Sequence, residues 1–112
     1  ENFFPTFDAT IVKRFYKAGA VMLGKLNLTE GAMAGYNPKR EIPQNPWKED
    51  HWPGASSSGS GVATSAGLAY ATIGSDTGGS IRHPAASPIS GSCGAIDTKC
   101  DRCGDNHAMY LW

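Results

Sequence analysis

The hydrophobic pattern changes period along this chain. Ile11, Val12, Phe15 and Ala18 recur at three- and four-residue steps behind Asp8, which predicts a helix capped by Asp8 and ended at Gly19. Ala20-Val21-Met22-Leu23-Gly24 is then apolar without interruption, the pattern of a short strand buried on both faces. A second helix is expected from about Thr29, with Glu30 in its first turn, to about Gly35. Residues 36–54 hold Asn, Pro, Gly and Trp without a period and read as a loop, kept extended at Asn45-Pro46-Trp47 and Trp52-Pro53. From Ser58 to Leu68, small residues with Val62, Ala63, Ala66 and Leu68 suit a helix packed tightly on a sheet. Tyr70-Ala71-Thr72-Ile73-Gly74 reads as a strand ending just before Asp76. The order helix, strand, helix, loop, helix, strand is an α/β rhythm with buried parallel strands.

Charge narrows the function classes. Ten basic and ten acidic residues balance, so there is neither a basic field for nucleic acid nor an acidic tail. No apolar run is long enough to span a membrane, and Glu1-Asn2-Phe3-Phe4-Pro5 lacks the features of a signal peptide. Cys93, Cys100 and Cys103 are an odd cluster near the end, which does not describe a disulfide scaffold. A reduced, cytoplasmic setting is expected, with an organelle as the other option. Cys100-x-x-Cys103 with His107 raises zinc, but Cys93 would supply the fourth ligand at an awkward spacing. An ordinary tail is the preferred reading, and no metal or organic cofactor is expected.

Two serine clusters carry the chemistry. Ser56-Ser57-Ser58 and Gly78-Gly79-Ser80 lie in one stretch, Pro53 to Pro84. A Gly/Ser linker would look similar, but it would not hold Val62, Leu68, Tyr70 and Ile73 between its polar clusters. Glycine beside serine allows close backbone approach, which suits a hydroxyl that attacks and amides that catch an oxyanion. Gly54 and Gly59 also have phosphate-loop spacing, but Ser60-Gly61 stands where Lys-Ser/Thr is required.

Gly54-Ala55-Ser56-Ser57-Ser58-Gly59-Ser60 and Gly74-Ser75-Asp76-Thr77-Gly78-Gly79-Ser80-Ile81-Arg82-His83-Pro84 closely resemble the two serine blocks of the amidase signature family. The interval of 24 residues between Ser56 and Ser80 matches as well. Asp8-Ala9-Thr10, Ala18-Gly19-Ala20, Leu23-Gly24-Lys25 and Asn45-Pro46-Trp47 follow in the family's order, and the resemblance covers about residues 7–94. It implies a fragment of the amidase signature fold, a mixed central sheet covered by helices. Residues 1–94 are expected to form part of that domain and 95–112 a divergent tail.

The resemblance implies roles for individual residues. Ser80 is the expected nucleophile, attacking an amide carbonyl, and Ser56 the bridging serine of a Ser–Ser–Lys triad, preceded by a cis peptide bond at Ala55–Ser56. The amides of Thr77, Gly78, Gly79 and Ser80 are expected to form the oxyanion hole, where each donor is typically worth about 3 kcal/mol. Asp76 and Arg82 flank the nucleophile and are expected to scaffold its loop as an ion pair. Ser57, Ser58 and Ser60 either hydrogen-bond around Ser56 or cap the following helix. His83, three residues past Ser80, is expected to be structural or at the surface; a Ser-His-Asp triad with Asp76 is the remote alternative.

The base is the gap. In the family, a lysine in a Lys-Asp motif lies further upstream than the 55 residues before Ser56 reach. Lys13 and Lys17 read as solvated charge on the first helix, and Lys25, Lys39 and Lys48 lie in other contexts. After Gly94 the pattern deteriorates, and only Lys99 keeps its place in the next family motif. The resemblance implies hydrolysis of a small-molecule carboxamide through a serine acyl-enzyme, without cofactor. A protein like the A-type subunit of a glutamine amidotransferase, acting in transamidation, is the alternative within the family; a truncated, catalytically dead remnant is the alternative from another class. A homodimer or an amidotransferase complex are the assemblies expected of the full-length protein.

Overall fold

A computed structural model describes residues 4–33, 35–87, 94–99 and 106–111, the last two spans as backbone strands only. Among these residues, helices α1 (Thr10–Lys17), α2 (Ser58–Ser65) and α3 (Arg82–Ala86) accompany strands β1 (Ala71–Ser75), β2 (Gly94–Lys99) and β3 (Asn106–Leu111). The strands form one sheet in the order β1-β3-β2, with both pairings antiparallel. β1 and β3 pair in a register that opposes Ile73 to Met109. The mixed sheet and the buried parallel strands expected from sequence are not found among the described residues.

α1 forms where the apolar spacing places it, and it ends at Gly19 with φ +82°. Its N-cap is Ala9, without a side-chain bond, so Asp8 does not cap it. Two further expectations are corrected. Residues 20–24 are not a strand: Val21 and Leu23 stand 82% and 75% exposed. An apolar run becomes a strand only by pairing, and among the described residues no backbone–backbone bond joins 21–26 to a neighbour. The helix expected from Thr29 to Gly35 shrinks to one tight turn, Glu30–Ala32, because Gly31 and Ala32 take φ of +65° and +57°. The loop through 36–54 is found, and the cysteine cluster lies outside the described residues.

The core lies between α2, β1 and α3, and it is built from small and hydroxylated residues. Ser56, Ser57, Ser58, Ser60, Thr64 and Thr72 are buried alongside Ala55, Ala63 and Ile81. Buried hydroxyls cost free energy unless they are bonded. Here Ser60 Oγ donates to the Ile73 carbonyl at 2.7 Å, while Thr64 and Thr72 hydroxyls lie 2.7 Å apart and each within 3.0 Å of the Ser60 carbonyl. Ser58 and Ser60 therefore spend their hydroxyls on carbonyls rather than on capping; the N-cap of α2 is Ser57, whose side chain makes no capping bond. Small residues let the elements approach. A Cβ on Gly61 would lie 2.9 Å from Pro84 Cβ, and one on Gly74 2.7 Å from Ser57 Oγ.

Candidate active site

Strand β1 and helix α2 bring the two serine clusters together. Ser57 donates its N–H to the Ser80 carbonyl at 3.1 Å, so the segments around Ser56 and Ser80, 24 positions apart, meet at their backbones. Ser57 Oγ is also tied to β1, accepting from the Ser75 N–H at 3.3 Å. The Ala55–Ser56 peptide bond is cis.

The chain around Ser56 is fixed from several sides. The Gly54 carbonyl accepts from Ser58 Oγ at 2.6 Å and from the Tyr36 hydroxyl at 2.9 Å. The Ser56 carbonyl accepts from the Thr29 N–H at 3.1 Å. One turn on, the Gly59 N–H donates to the Asn27 carbonyl at 2.8 Å. Thr29, Tyr36 and Asn27 are anchors that sequence reasoning missed, since only the fold brings them to the serine block. Ser56 itself is 2% exposed, and its Oγ has no partner among the described residues. Lys13, Lys17, Lys25, Lys39 and Lys48 are all exposed.

The loop from Asp76 to Arg82 is organised by one carboxylate. Asp76 Oδ1 accepts from the Gly79 N–H at 2.8 Å and from Arg82 Nη2 at 2.9 Å. Oδ2 accepts from the N–H groups of Ile81 and Arg82 at 3.0 Å and from Arg82 Nε at 3.1 Å. The Arg82 side chain, and then the backbone amides of Arg82, Ile81 and Gly79, hold the Asp76 carboxyl well below the usual carboxylate range against the opposing effect of its burial. Ser80 is half-buried at the turn into α3, with Thr77 and Gly78 exposed and Gly79 buried beside it. The Gly79 amide is already committed to Asp76, which leaves Thr77, Gly78 and Ser80 as the amides of the expected oxyanion set without that commitment.

His83 is at the surface, but its ring lies against Gly79 and 6.3 Å, centroid to centroid, from Trp52. Its i, i+4 spacing from Gly79 was the available signal for this contact. Among the described residues no three His, Cys, Asp or Glu side chains group as a metal site, and no helix is long and apolar enough to cross a membrane.

The family model for amidases matches residues 1–93. The chain belongs to the amidase family. This amidase-family chain is 59% identical over 83 residues to a Mycobacterium tuberculosis protein named as amidase AmiD, a match covering 74% of the chain and 18% of that protein. It is 48% identical over 101 residues to the A-type subunit of glutamyl-tRNA(Gln) amidotransferase from Exiguobacterium sibiricum, covering 88% of the chain and 20% of that protein. The corresponding subunit of Persephonella marina is 50% identical over the same length. The chain thus spans about a fifth of the length of the curated relatives it matches.

Proposed function

We propose that this amidase-family chain carries the serine half of an amide-hydrolysing site, with Ser80 as nucleophile and Ser56 as the bridging serine. Ser80 Oγ attacks the carbonyl carbon of a carboxamide, and its proton passes to Ser56, whose own proton moves to a base. The amides of Thr77, Gly78 and Ser80 stabilise the oxyanion, with Gly79 held back by Asp76 to shape the loop. Collapse breaks the C–N bond and releases ammonia or an amine with the returned proton. Water then hydrolyses the Ser80 ester. Asp76, Arg82 and Ser57 scaffold the two serine segments, and residues 1–94 contribute part of the amidase domain.

The observation that carries this reading is the Ser56 hydroxyl: a buried polar group without a partner among the described residues, one residue from the bond that ties Ser57 to Ser80. Such a hydroxyl is costly unless a further group completes it. A neutral lysine is the completing base, and it comes from outside the described residues. The chain by itself is therefore proposed to turn over amides negligibly, in a reduced cytoplasmic setting.

The test is a chimera in which residues 7–94 replace the matching segment of the mycobacterial relative. Hydrolysis of a simple carboxamide by the chimera, abolished by Ser80→Ala and reduced at least about 100-fold by Ser56→Ala, is the expected result. Unchanged activity in Ser80→Ala would sink the assignment. A second reading, a role in transamidation like that of the A-type amidotransferase subunits, is favoured by the longer match to those proteins. Ammonia release from glutamine, with simple amides refused, would distinguish it.

A further inference from the structure

Gly79 is held on three sides. Its N–H donates to Asp76 Oδ1 at 2.8 Å, and its carbonyl accepts from the His83 N–H at 2.7 Å. The third side is the His83 ring. With φ at +117°, a Cβ on Gly79 would lie 2.9 Å from His83 Nε2, 3.0 Å from Cε1 and 3.2 Å from Cδ2. An edge-on approach to Nε2 would leave the two flanking carbons most of an ångström further off, so the imidazole lies flat over this point. The Trp52 ring is its aromatic neighbour, tilted 56° to it at 6.3 Å between centroids. The Trp52 backbone is fixed in turn, since its carbonyl accepts from Ser87 Oγ at 2.7 Å.

Two hydrogen bonds pin the ends of residue 79, but a residue without Cβ can still rock about φ and ψ between them. The flat ring supplies the wall that the missing Cβ does not. We propose that His83, with Trp52 beside it, is a positioning residue that holds the Gly79–Ser80 peptide in the orientation that presents Ser80. Its presentation of a nucleophile rests on the reading of Ser80 given above; its hold on Gly79 does not. His83 neither attacks nor transfers a proton here. It acts through the shape of the glycine beside the serine.

Amide hydrogen exchange on the chain decides the matter. His83→Ala is expected to speed exchange of the Gly79 amide about ten-fold while the Ile73 amide in β1 keeps its rate. His83→Phe restores a flat ring and is expected to return the Gly79 rate to within about two-fold of the original. Unchanged Gly79 exchange in His83→Ala, or a His83→Phe chain exchanging as fast as His83→Ala, overturns the proposal. If His83→Ala loses the whole fold, seen as equal acceleration at Ile73, His83→Leu takes its place. Leucine offers bulk without a plane, so it should exchange faster than His83→Phe, and equal rates overturn the proposal as well. The nucleophile assignment fails by a different signal: full activity of Ser80→Ala in the chimera, with these exchange rates untouched.

Discussion

At the scale of single residues, Asp76 is the centre of the nucleophile loop. It is nearly buried, while the Arg82 side chain is 71% exposed. Exposure screens the ion pair, whereas the three backbone amides on the carboxylate have no such relief. Asp76→Asn should therefore cost about 2 kcal/mol of stability and Arg82→Ala under about 1 kcal/mol, read from urea unfolding near neutral pH. An equal cost for the two would put the weight on the ion pair instead. The folded-state value of Asp76 is depressed from an ordinary 3.8. Its stabilisation is then fully present above that value and is lost as pH falls through it toward the depressed one. The gap between the original chain and Asp76→Asn should stay constant above about pH 5 and narrow below about pH 4. A gap that instead opened on acidification would reverse the sign and reject this account. The two glycines of the loop make a second contrast. A methyl group added at Gly78 would meet nothing within 4 Å, but Gly79 combines φ +117° with the His83 ring at 2.9 Å. Gly78→Ala should melt within about 1 °C of the original, and Gly79→Ala should lose about 2 kcal/mol.

At the scale of elements, α2 and β1 are joined by hydroxyls and by the absence of side chains. Gly74→Ala would push a methyl to 2.7 Å from Ser57 Oγ and 2.9 Å from Ile81 Cγ1. Neither neighbour is the free end of a flexible chain, so the cost should be about 2–3 kcal/mol. Thr64→Val keeps the shape and loses one hydroxyl from the group it shares with Thr72 and Ser60, costing about 1 kcal/mol. Thermal unfolding should rank Gly74→Ala clearly below Thr64→Val; the reverse order would mean that β1 can shift away from Ser57. These same elements, together with α1, were legible in the sequence. α2 and β1 declare themselves locally, through small residues at helical length and a short β-prone run before Asp76. The Asp76–Arg82 pairing was also readable, because both partners lie in one loop. The run at 20–24 misled because strand formation depends on partners that its own residues do not specify. The turn at Glu30–Ala32 misled because helix propensity yields to the left-handed geometry at Gly31 and Ala32. The contacts of Thr29, Tyr36 and Asn27 with the serine block stayed hidden because they join segments distant in sequence.

At the scale of the whole molecule, the polar, tightly bonded core around the serines contrasts with the segment that precedes it. Val21 and Leu23 are among the most exposed large apolar residues described, and the backbone between 21 and 26 pairs with no other backbone among the described residues. Exposed apolar side chains beside unpaired backbone favour association between chains. The segment is not a source of stability for the chain itself, because these side chains bury little. The double substitution Val21→Lys, Leu23→Lys therefore separates the two roles. In the chain it should change unfolding free energy by no more than about 0.5 kcal/mol, since exposed positions away from caps and strained turns tolerate exchange. It should at the same time lower the binding of a hydrophobic dye and the tendency to self-associate, measured by light scattering across a concentration series. Placed in the chimera with the mycobacterial relative, the same pair of lysines should abolish activity if the added chain covers these residues, because a charge buried there stays unpaired. A loss of about 2 kcal/mol or more in the chain would mean that residues 21 and 23 already pack against the serine core. Full activity of the substituted chimera would mean that the segment remains open to solvent even when the rest of the amidase domain surrounds it.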